Sequence, residues 1–270
     1  MNLSEINARG LVLLGCGKMG SAMLEGWLAQ GIVPGAVWVI DPFPSDWLKA
    51  TGVAVNAPLP QDPAIVLIAV KPQMMAAALP TLQPLGNGKT LFLSVAAGTT
   101  IACYEQVLGA DTPVIRAMPN TPAAVSRGIT AITGNATATE AHLQMAEALL
   151  SAVGVVVRLE GEHQMDAVTG LSGSGPAYVF HMIEAMAAAG QAVGLAPDLA
   201  MKLARATVCG AGELAFQAGE SAEQLRVNVT SPGGTTAAGL KVLMDADTGL
   251  TPLMKRAVRA ATDRGRELGK

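Results

Sequence analysis

A short apolar run that ends in a glycine-rich turn constrains the fold more than any other feature of this chain. Residues 11–14 read Leu-Val-Leu-Leu, and Gly15, Gly17 and Gly20 follow in a GxGxxG pattern before a helical stretch. Glycines at these places permit a tight turn, close approach of the backbone to a pyrophosphate and close packing of helix on strand. A bare glycine-rich turn is the alternative, but the pattern opens the first strand–helix–strand unit of an alternating chain. It therefore predicts a dinucleotide-binding domain.

Branched apolar runs alternate with helical stretches through the first part of the chain. We predict strands at 11–14, 37–40, 65–70, 91–95, 114–117, 128–133 and 155–159, and helices at 21–30, 74–82, 101–108 and 139–152. Strands that are apolar along their whole length and separated by helices imply a parallel sheet covered on both faces. Residues 1–162 are therefore predicted to form an α/β Rossmann-type parallel sheet domain.

The remainder, residues 163–270, contains helical patterns only, at 176–193, 197–218, 222–228, 235–244 and 250–268. In the last of these the apolar residues fall on one stripe and the basic residues fall elsewhere. Hydrophobic residues make up 50% of the chain and charged residues 14%, which is apolar for a monomer. Helices that bury more than one face explain this composition, so we predict an all-α domain that forms an obligate oligomer.

Composition and spacing exclude several classes of protein. The longest apolar stretch, 177–195, contains His181, Glu184 and Gln191, so we predict a buried helix and no membrane span. The three cysteines share no CxxC spacing and the three histidines form no HExxH pattern, so neither a disulfide framework nor a metal site is expected. A net charge of −3 gives no electrostatic case for nucleic acid. The start of the chain does not resemble a signal peptide, and we expect a soluble, cytoplasmic protein.

The second predicted strand is followed at once by Asp41, about 20 residues after the last glycine of the turn, where dinucleotide-binding domains place an acid on the ribose. A carboxylate there would accept hydrogen bonds from the adenosine ribose and repel a 2′-phosphate, and no basic residue follows before Lys49. This favours NADH over NADPH as the cofactor. The alternative is an ordinary capping Asp in a turn-rich segment, so the choice between the two cofactors stays open.

A second glycine-rich segment, Ser-Pro-Gly-Gly-Thr-Thr at 231–236, opens an apolar helical pattern near the end of the chain. The N–H groups at a helix start form a pocket for a small anion, and the hydroxyl of Ser231 can add to it. An ordinary capped helix start with a glycine-rich turn is the alternative. Taken with the first turn, the segment suggests a nicotinamide cofactor at one end of the chain and a small carboxylate at the other.

Six segments occur in a characteristic order: GCGKMG at 15–20, AVKP at 69–72, SVAAG at 94–98, RAMPNTP at 116–122, GLSGSGPAY at 170–178 and SPGGTT at 231–236. The set resembles the pyrroline-5-carboxylate reductase family over nearly the whole chain, and its last three segments are far more specific than the glycine fingerprint. The resemblance implies reduction of L-1-pyrroline-5-carboxylate to L-proline by NADH or NADPH, the last step of proline biosynthesis. It also implies a Rossmann domain followed by an all-α dimerisation domain. In the family the helices interleave between the two subunits of a homodimer, and dimers commonly assemble into decamers.

The resemblance further implies the residues of the site. The cofactor would lie against Gly15, Cys16, Gly17, Lys18, Met19, Gly20, Asp41, Asn56, Ala69, Val70, Lys71, Pro72, Val95, Ala96, Ala97 and Asn120. The substrate carboxylate would bind at Ser231, Gly233, Gly234, Thr235 and Thr236, in a site completed by the neighbouring subunit. The chain departs from the family at Lys18, where Asn or Gln is usual, and at Val227 and Thr230, where the family often has Asp and Cys.

Imine reduction needs hydride delivery to carbon and protonation of nitrogen, and the hydride belongs to the cofactor. Thr236 is the candidate catalytic residue, because its hydroxyl could hydrogen-bond the ring nitrogen of the substrate. It would either relay a proton from water or orient an imine that enters already protonated, and both alternatives stay open. Lys71 is interpreted as a cofactor-site residue rather than as the acid.

Two other functions fit parts of the pattern. A 3-hydroxyacid dehydrogenase resembling the 6-phosphogluconate group shares a Rossmann domain followed by helices, but such enzymes use a catalytic lysine. Here Lys202 and Lys241 lie outside any glycine-rich motif. A non-catalytic sensor that binds a nicotinamide cofactor is the other alternative. The intact cofactor and substrate segments argue against it, and a turnover measurement decides it.

Overall fold

The computed structural model describes residues 4–269, which form two compact units. The first contains the residues up to Gly173 together with the segment from Thr262 onward, and the second contains Ser174–Ala261. Residues 163–173, which the sequence interpretation assigns to the helical domain, thus cluster with the first unit. The last turns of the final helix do so as well.

The first unit is built on an eight-stranded sheet. Its strands are β1 Leu11–Leu14, β2 Val37–Ile40, β3 Ala54–Val55, β4 Ile65–Ile68, β5 Leu91–Ser94, β6 Val114–Met118, β7 Gly128–Gly134 and β8 Gly154–Arg158. They lie in the order β3-β2-β1-β4-β5-β6-β7-β8, and the first six match the order of a dinucleotide-binding fold. The predicted Rossmann-type α/β class is confirmed.

One feature of the sheet corrects the sequence interpretation. β7 pairs with β6 in antiparallel register, whereas β8 runs parallel to β7 and the first six strands run parallel to one another. The connection from β6 to β7, residues 119–127, is shorter than the dozen or so residues that a parallel crossover needs. The last two strands therefore run against the other six, and the sheet is mixed rather than parallel throughout.

The helices of the first unit are α1 Ser4–Arg9, α2 Lys18–Ala29, α3 Asp46–Ala50, α4 Met75–Ala78, α5 Ile101–Leu108, α6 Glu140–Leu150 and α7 Met165–Val168. The helix expected at 74–82 is only one α-helical turn followed by the 3₁₀ segment Leu79–Leu85. Pro80 and Pro84 explain the difference, because each lacks the N–H that a longer α-helix would need. Thr100 and Thr139 begin α5 and α6 as side-chain caps, each accepting from the backbone N–H three residues on.

Apolar side chains cover both faces of the sheet. On one face, Trp27 of α2 is fully buried and its Nε1 donates to the carbonyl of Leu149 in α6 at 2.9 Å. On the other face, Tyr104 of α5 belongs to a buried cluster with Val66 and Phe92 of the sheet. The central strands β1, β4 and β5 are buried along their whole length, as a sheet sandwiched between helices requires.

The second unit is all-helical, as predicted. It contains α8 Gly175–Ala192, α9 Pro197–Gln217, α10 Ala222–Asn228, α11 Thr235–Leu243 and the greater part of α12 Leu250–Leu268. The buried positions of α8 and α9 are alanines, whereas large apolar side chains such as Phe180, Leu203 and Phe216 are exposed. A single chain thus leaves much of the apolar surface of this unit uncovered. Among the described residues, no helix is both long and apolar enough to cross a bilayer.

Candidate cofactor and substrate sites

The three glycines of the first turn are required for different reasons. Gly15 has φ +89°, and a side chain on it would meet Val70 and the carbonyl of Ala69. A Cβ on Gly20 would lie 2.4 Å from the carbonyl oxygen of Gly15, so this glycine lets α2 pack on the end of β1. Gly17 is exposed, has φ −73°, and a Cβ there would meet nothing within 4 Å. Of the three, only Gly17 could carry a side chain without a clash inside the protein. The open space beside it suits a ligand that lies against the backbone.

The start of α2 completes this loop. Gly17 caps the helix without a side-chain hydrogen bond, so the first N–H groups of α2 face outward. Such a helix N-terminus attracts phosphate through its N–H groups and its dipole. Lys18 is exposed there, whereas Cys16 and Met19 are partly buried against the apolar core. The residues of the loop therefore fit a pyrophosphate.

Asp41 follows β2 and lies directly beside this loop. Its Oδ2 accepts the N–H of Cys16 at 2.7 Å, and its Oδ1 accepts the N–H of Phe43 at 2.8 Å. Asn56, which has φ +52°, accepts the N–H of Asp41 at 3.0 Å and donates to its carbonyl at 2.8 Å. Asp41 is thus both a turn-capping residue and an acid at the end of the second strand, so the two interpretations of its role are compatible.

The same carboxylate affects the neighbouring thiol. Burial raises the pKa of Cys16 to about 11, and the negative charge of Asp41 adds to the effect. The thiol therefore stays protonated at neutral pH. It serves as a small apolar side chain in the loop rather than as a nucleophile.

The other predicted cofactor residues follow the adjacent strands β4, β5 and β6. Because these strands are parallel, their carboxyl ends share one edge of the sheet with the glycine loop. The strands expected at 65–70 and 91–95 end early, at Ile68 and Ser94, so the residues after them lie in loops along this edge. Those residues are Ala69, Val70, Lys71, Pro72, Val95, Ala96 and Ala97, of which Lys71, Pro72 and Ala97 are exposed.

Asn120, after β6, has a structural role in addition to any contact with a cofactor. Its side-chain oxygen accepts the N–H of Ile129 at 2.9 Å, and its Nδ2 donates to the carbonyl of Ser172 at 3.2 Å. These bonds join the turn after β6 to the start of β7 and to the π-helical turn Thr169–Gly173. The structure therefore explains why an amide side chain suits this position.

Two polar pairs near the same edge, one buried and one partly buried, were not recognised from the sequence. The Tyr104 hydroxyl hydrogen-bonds Ser94 Oγ at the end of β5, and Arg116 Nη1 donates to Glu162 Oε1 at 2.7 Å. Ser94 and Arg116 belong to motifs quoted above, but Tyr104 resembles an ordinary core residue of an amphipathic helix. Glu162 follows β8, 46 positions from Arg116 in sequence. No local pattern connects residues that far apart.

The predicted substrate segment lies in the second unit, between α10 and α11. Gly233 has φ +72°, and the N–H of Gly234 donates to the carbonyl of Ser231 at 3.0 Å, which closes a tight turn. That N–H is consequently used within the protein and is not free to bind an anion. Thr235 and Thr236 are exposed in the first turn of α11, where the N–H groups have no partner inside the helix.

The remaining candidates for chemistry in the described part of the chain are few. Within residues 4–269, no group of three or more His, Cys, Asp or Glu side chains is arranged to hold a metal ion. Cys16, Cys103 and Cys209 are free cysteines. The predicted cofactor residues lie in the first unit and the segment 231–236 lies in the second.

Comparison with known proteins identifies relatives over the whole chain. A family model described as pyrroline-5-carboxylate reductase dimerisation matches residues 162–268, and one described as NADP oxidoreductase, coenzyme F420-dependent, matches residues 10–98. The chain is 38% identical to the pyrroline-5-carboxylate reductase of Pseudomonas aeruginosa over 264 residues, which is 96% of each protein.

Solved structures agree. A pyrroline-5-carboxylate reductase from Coxiella burnetii superposes with a TM-score of 0.91 at 34% identity, covering 97% of this chain and 99% of that one. The Plasmodium falciparum pyrroline carboxylate reductase, solved with NADP bound, gives a TM-score of 0.81 at 27% identity and covers 98% of this chain and 99% of that one.

Proposed function

The chain belongs to the pyrroline-5-carboxylate reductase family, and we propose that it reduces L-1-pyrroline-5-carboxylate to L-proline with a nicotinamide cofactor, the last step of proline biosynthesis. The single observation that carries the proposal is this likeness along nearly the full length of both chains. The glycine loop supports it, because Gly17 offers an open backbone surface at a helix start. The bound cofactor supplies the hydride, and the chain supplies binding, orientation and a route for the proton.

The shared edge of the sheet supports the proposed contacts with the cofactor. The N–H groups at the start of α2 hold the pyrophosphate, and Asp41 faces the adenosine ribose with Asn56 fixing its backbone. Residues 69–72 and 95–97 line the nicotinamide half, because they follow the central strands of the sheet. We propose that Asp41 favours NADH over NADPH, since a 2′-phosphate brought to its carboxylate would be repelled.

The substrate carboxylate binds at the segment 231–236 in this proposal. The N–H groups of Thr235 and Thr236 and the hydroxyl of Ser231 grip it, while Gly233 and Gly234 shape the turn. The dipole of α11 adds about 0.3–1 kcal/mol in an exposed site and up to ~2 kcal/mol in a partly buried one. Binding at a fixed anchor orients the imine carbon toward a hydride donor, which is the larger contribution to rate.

We propose Thr236 as the catalytic residue, hydrogen-bonded through its hydroxyl to the ring nitrogen. Replacing it with Val removes the hydroxyl and keeps the shape, so kcat should fall while the affinity for the cofactor stays nearly unchanged. The matched variant Thr236→Ser keeps the hydroxyl and should retain most of the activity. Stability should be unaffected, because Thr236 is exposed.

The pH profile separates the two roles considered for Thr236. If the hydroxyl relays a proton, the loss in Thr236→Val should reach roughly 100-fold and grow with pH, as the fraction of protonated imine declines. If it only orients an imine that is already protonated, the loss should be smaller and independent of pH. An unchanged rate in Thr236→Val would remove this residue from the mechanism.

Initial rates of purified protein with pyrroline-5-carboxylate and either NADH or NADPH test the function as a whole. Turnover establishes the reductase. Protein that binds a nicotinamide cofactor but reduces no pyrroline-5-carboxylate would instead act on another imine or serve as a sensor. The dehydrogenase alternative predicts turnover with a 3-hydroxy acid and NAD⁺ or NADP⁺, which the same assay can measure.

The family and the uncovered apolar surface of the second unit support a proposal for the assembly. We propose that residues 163–270 form a dimerisation and substrate-binding domain whose helices interleave with those of a second copy, and that dimers assemble into decamers. Sedimentation velocity tests this, since one chain has a mass of 27.5 kDa and a decamer has five times the mass of a dimer. We also propose a cytoplasmic location, to which the three free cysteines are suited.

A further inference from the structure

The loop between β5 and α5 carries Val95, Ala96 and Ala97, which line the nicotinamide half of the cofactor in the proposed function. It is short and contains Gly98 with φ +76°, a conformation that side-chain-bearing residues rarely adopt. Its outer residue, Ala97, is exposed, whereas Ala96 is buried in the core. The conformation of this loop therefore depends on contacts at its two ends.

Tyr104 anchors the first end. Its side chain is fully buried on α5, and its hydroxyl hydrogen-bonds Ser94 Oγ, which in turn accepts the N–H of Ala96 at 3.2 Å. A serine hydroxyl can donate one bond and accept others, so it links the phenol to the loop backbone. Burial raises the pKa of Tyr104, with hydrogen bonds to Ser94 and Thr99 opposing the effect, and the phenol stays neutral at physiological pH.

Glu162 anchors the second end. Its Oε1 accepts the N–H of Ile101, the first residue of α5, at 2.8 Å and the Arg116 Nη1 at 2.7 Å. The Arg116 side chain is only 6% exposed, so its positive charge needs this carboxylate as a counter-charge. A single side chain thus ties the helix start that follows the loop to Arg116 in the middle of β6.

These contacts hold both ends of one cofactor-lining loop, and we propose that Tyr104 and Glu162 are positioning residues that fix residues 95–100 for the nicotinamide half of the cofactor. Neither side chain needs to touch the cofactor, since each acts through Ser94 or through the backbone of Ile101. The inference rests on the proposed function, because only a nicotinamide cofactor gives this loop a binding role.

The sharpest test removes one oxygen atom. Tyr104→Phe keeps the buried ring and deletes the bond to Ser94, so the affinity for NADH should fall about three- to tenfold. ADP-ribose, which lacks the nicotinamide, should bind as it does to the unaltered protein. Both affinities can be measured by calorimetry or fluorescence without substrate.

Thr90→Val is a matched control at the opposite end of β5. Thr90 is 2% exposed and its hydroxyl donates to the carbonyl of Pro63 at 2.8 Å, so this variant also deletes a buried hydroxyl bond. It should lower the melting temperature about as much as Tyr104→Phe while leaving both affinities unchanged. Glu162→Gln provides a second variant, which keeps an acceptor for Ile101 but removes the counter-charge of Arg116. It should also lower the affinity for NADH while leaving the affinity for ADP-ribose unchanged.

The outcomes separate the two proposals. Selective loss of NADH affinity in Tyr104→Phe or Glu162→Gln, with Thr90→Val unaffected, supports the positioning role. Equal loss for NADH and ADP-ribose, or loss of neither in both variants, overturns it and leaves the proposed function standing. If the unaltered protein binds neither NADH nor NADPH, the proposed function fails and the positioning role fails with it.

Discussion

Two alanine substitutions in the glycine loop should differ in their effects, one lowering the stability of the fold and the other lowering the affinity for the cofactor. Gly17→Ala places a methyl group where the structure leaves open space, at a φ of −73° that alanine adopts readily. We expect it to change the free energy of unfolding by less than about 1 kcal/mol, chiefly because alanine is a poorer helix cap than glycine. Gly20→Ala instead places its Cβ 2.4 Å from the carbonyl oxygen of Gly15.

The overlap in Gly20→Ala involves backbone, so a side-chain rotation cannot relieve it. Overpacking of this kind costs typically 1–3 kcal/mol. At about 2 kcal/mol, and with a shift of roughly 2–4 °C per kcal/mol for a unit of this size, the melting temperature should fall by about 4–8 °C. Gly17→Ala should shift it by a few degrees at most.

Cofactor affinity separates the ligand-related glycine from the structural one. A methyl group between Gly17 and a bound pyrophosphate should cost a similar 1–3 kcal/mol, which is about a 5- to 150-fold increase in Kd. The test requires the melting temperature and the Kd for NADH of each variant, measured by thermal unfolding and by NADH titration. A Gly17→Ala protein with the affinity of the unaltered chain would refute the placement of the pyrophosphate at this loop. Equal destabilisation by both substitutions would refute the assignment of Gly20 as the packing glycine.

Two further predictions concern Asp41 and Cys16. Asp41→Asn keeps an acceptor for the N–H of Cys16 but removes the charge, so the ratio of kcat/KM for NADPH to that for NADH should rise about tenfold; an unchanged ratio would leave Asp41 as a turn residue only. The pKa of about 11 at Cys16 keeps the thiol protonated, so in a Cys103→Ser/Cys209→Ser variant iodoacetamide at pH 8 should alkylate Cys16 about 100-fold more slowly than free cysteine. A raised thiol pKa stabilises the fold below the unfolded value of 9.0, and this contribution should be lost as pH rises from 9.0 to about 11. Cys16→Ala should remove that decline, and an alkylation rate that is flat between pH 8 and pH 10 would contradict the assignment.

Much of the fold was predictable because it is encoded by neighbours in the chain. α5 at Ile101–Leu108, α10 at Ala222–Asn228 and α12 at Leu250–Leu268 have the predicted bounds, since apolar period and capping residues define each one locally. The helix expected at 74–82 was wrong, because Pro80 lacks the N–H that a continuing α-helix needs and the chain changes to a 3₁₀ segment at Leu79. β3, with only two residues, is too short to give any pattern.

The shared position of the proposed cofactor residues along one sheet edge was also predictable, because a parallel sheet brings strand ends together without long-range information. The polar pairs beneath them were not. The bond from Tyr104 to Ser94 and the ion pair of Glu162 with Arg116 join residues that become neighbours only when strands and helices have packed. No spacing rule specifies which hydroxyl or carboxylate will meet which partner.

Sequence alone was sufficient to predict the alternation of strands and helices, the glycine loop, the all-helical second part and the family, because each depends on residues close together or on ordered motifs. Only the three-dimensional packing shows which of the three glycines faces open space and that the Asp41 carboxylate accepts N–H groups from both its own turn and Cys16. The hydrogen bond from the N–H of Gly234 to the carbonyl of Ser231 is likewise visible only in the structure. The tertiary structure also decided the direction of β7, which depends on the length of one connection and on pairing with β6. These features arise from the packing of separate segments, where distance along the chain no longer limits contact.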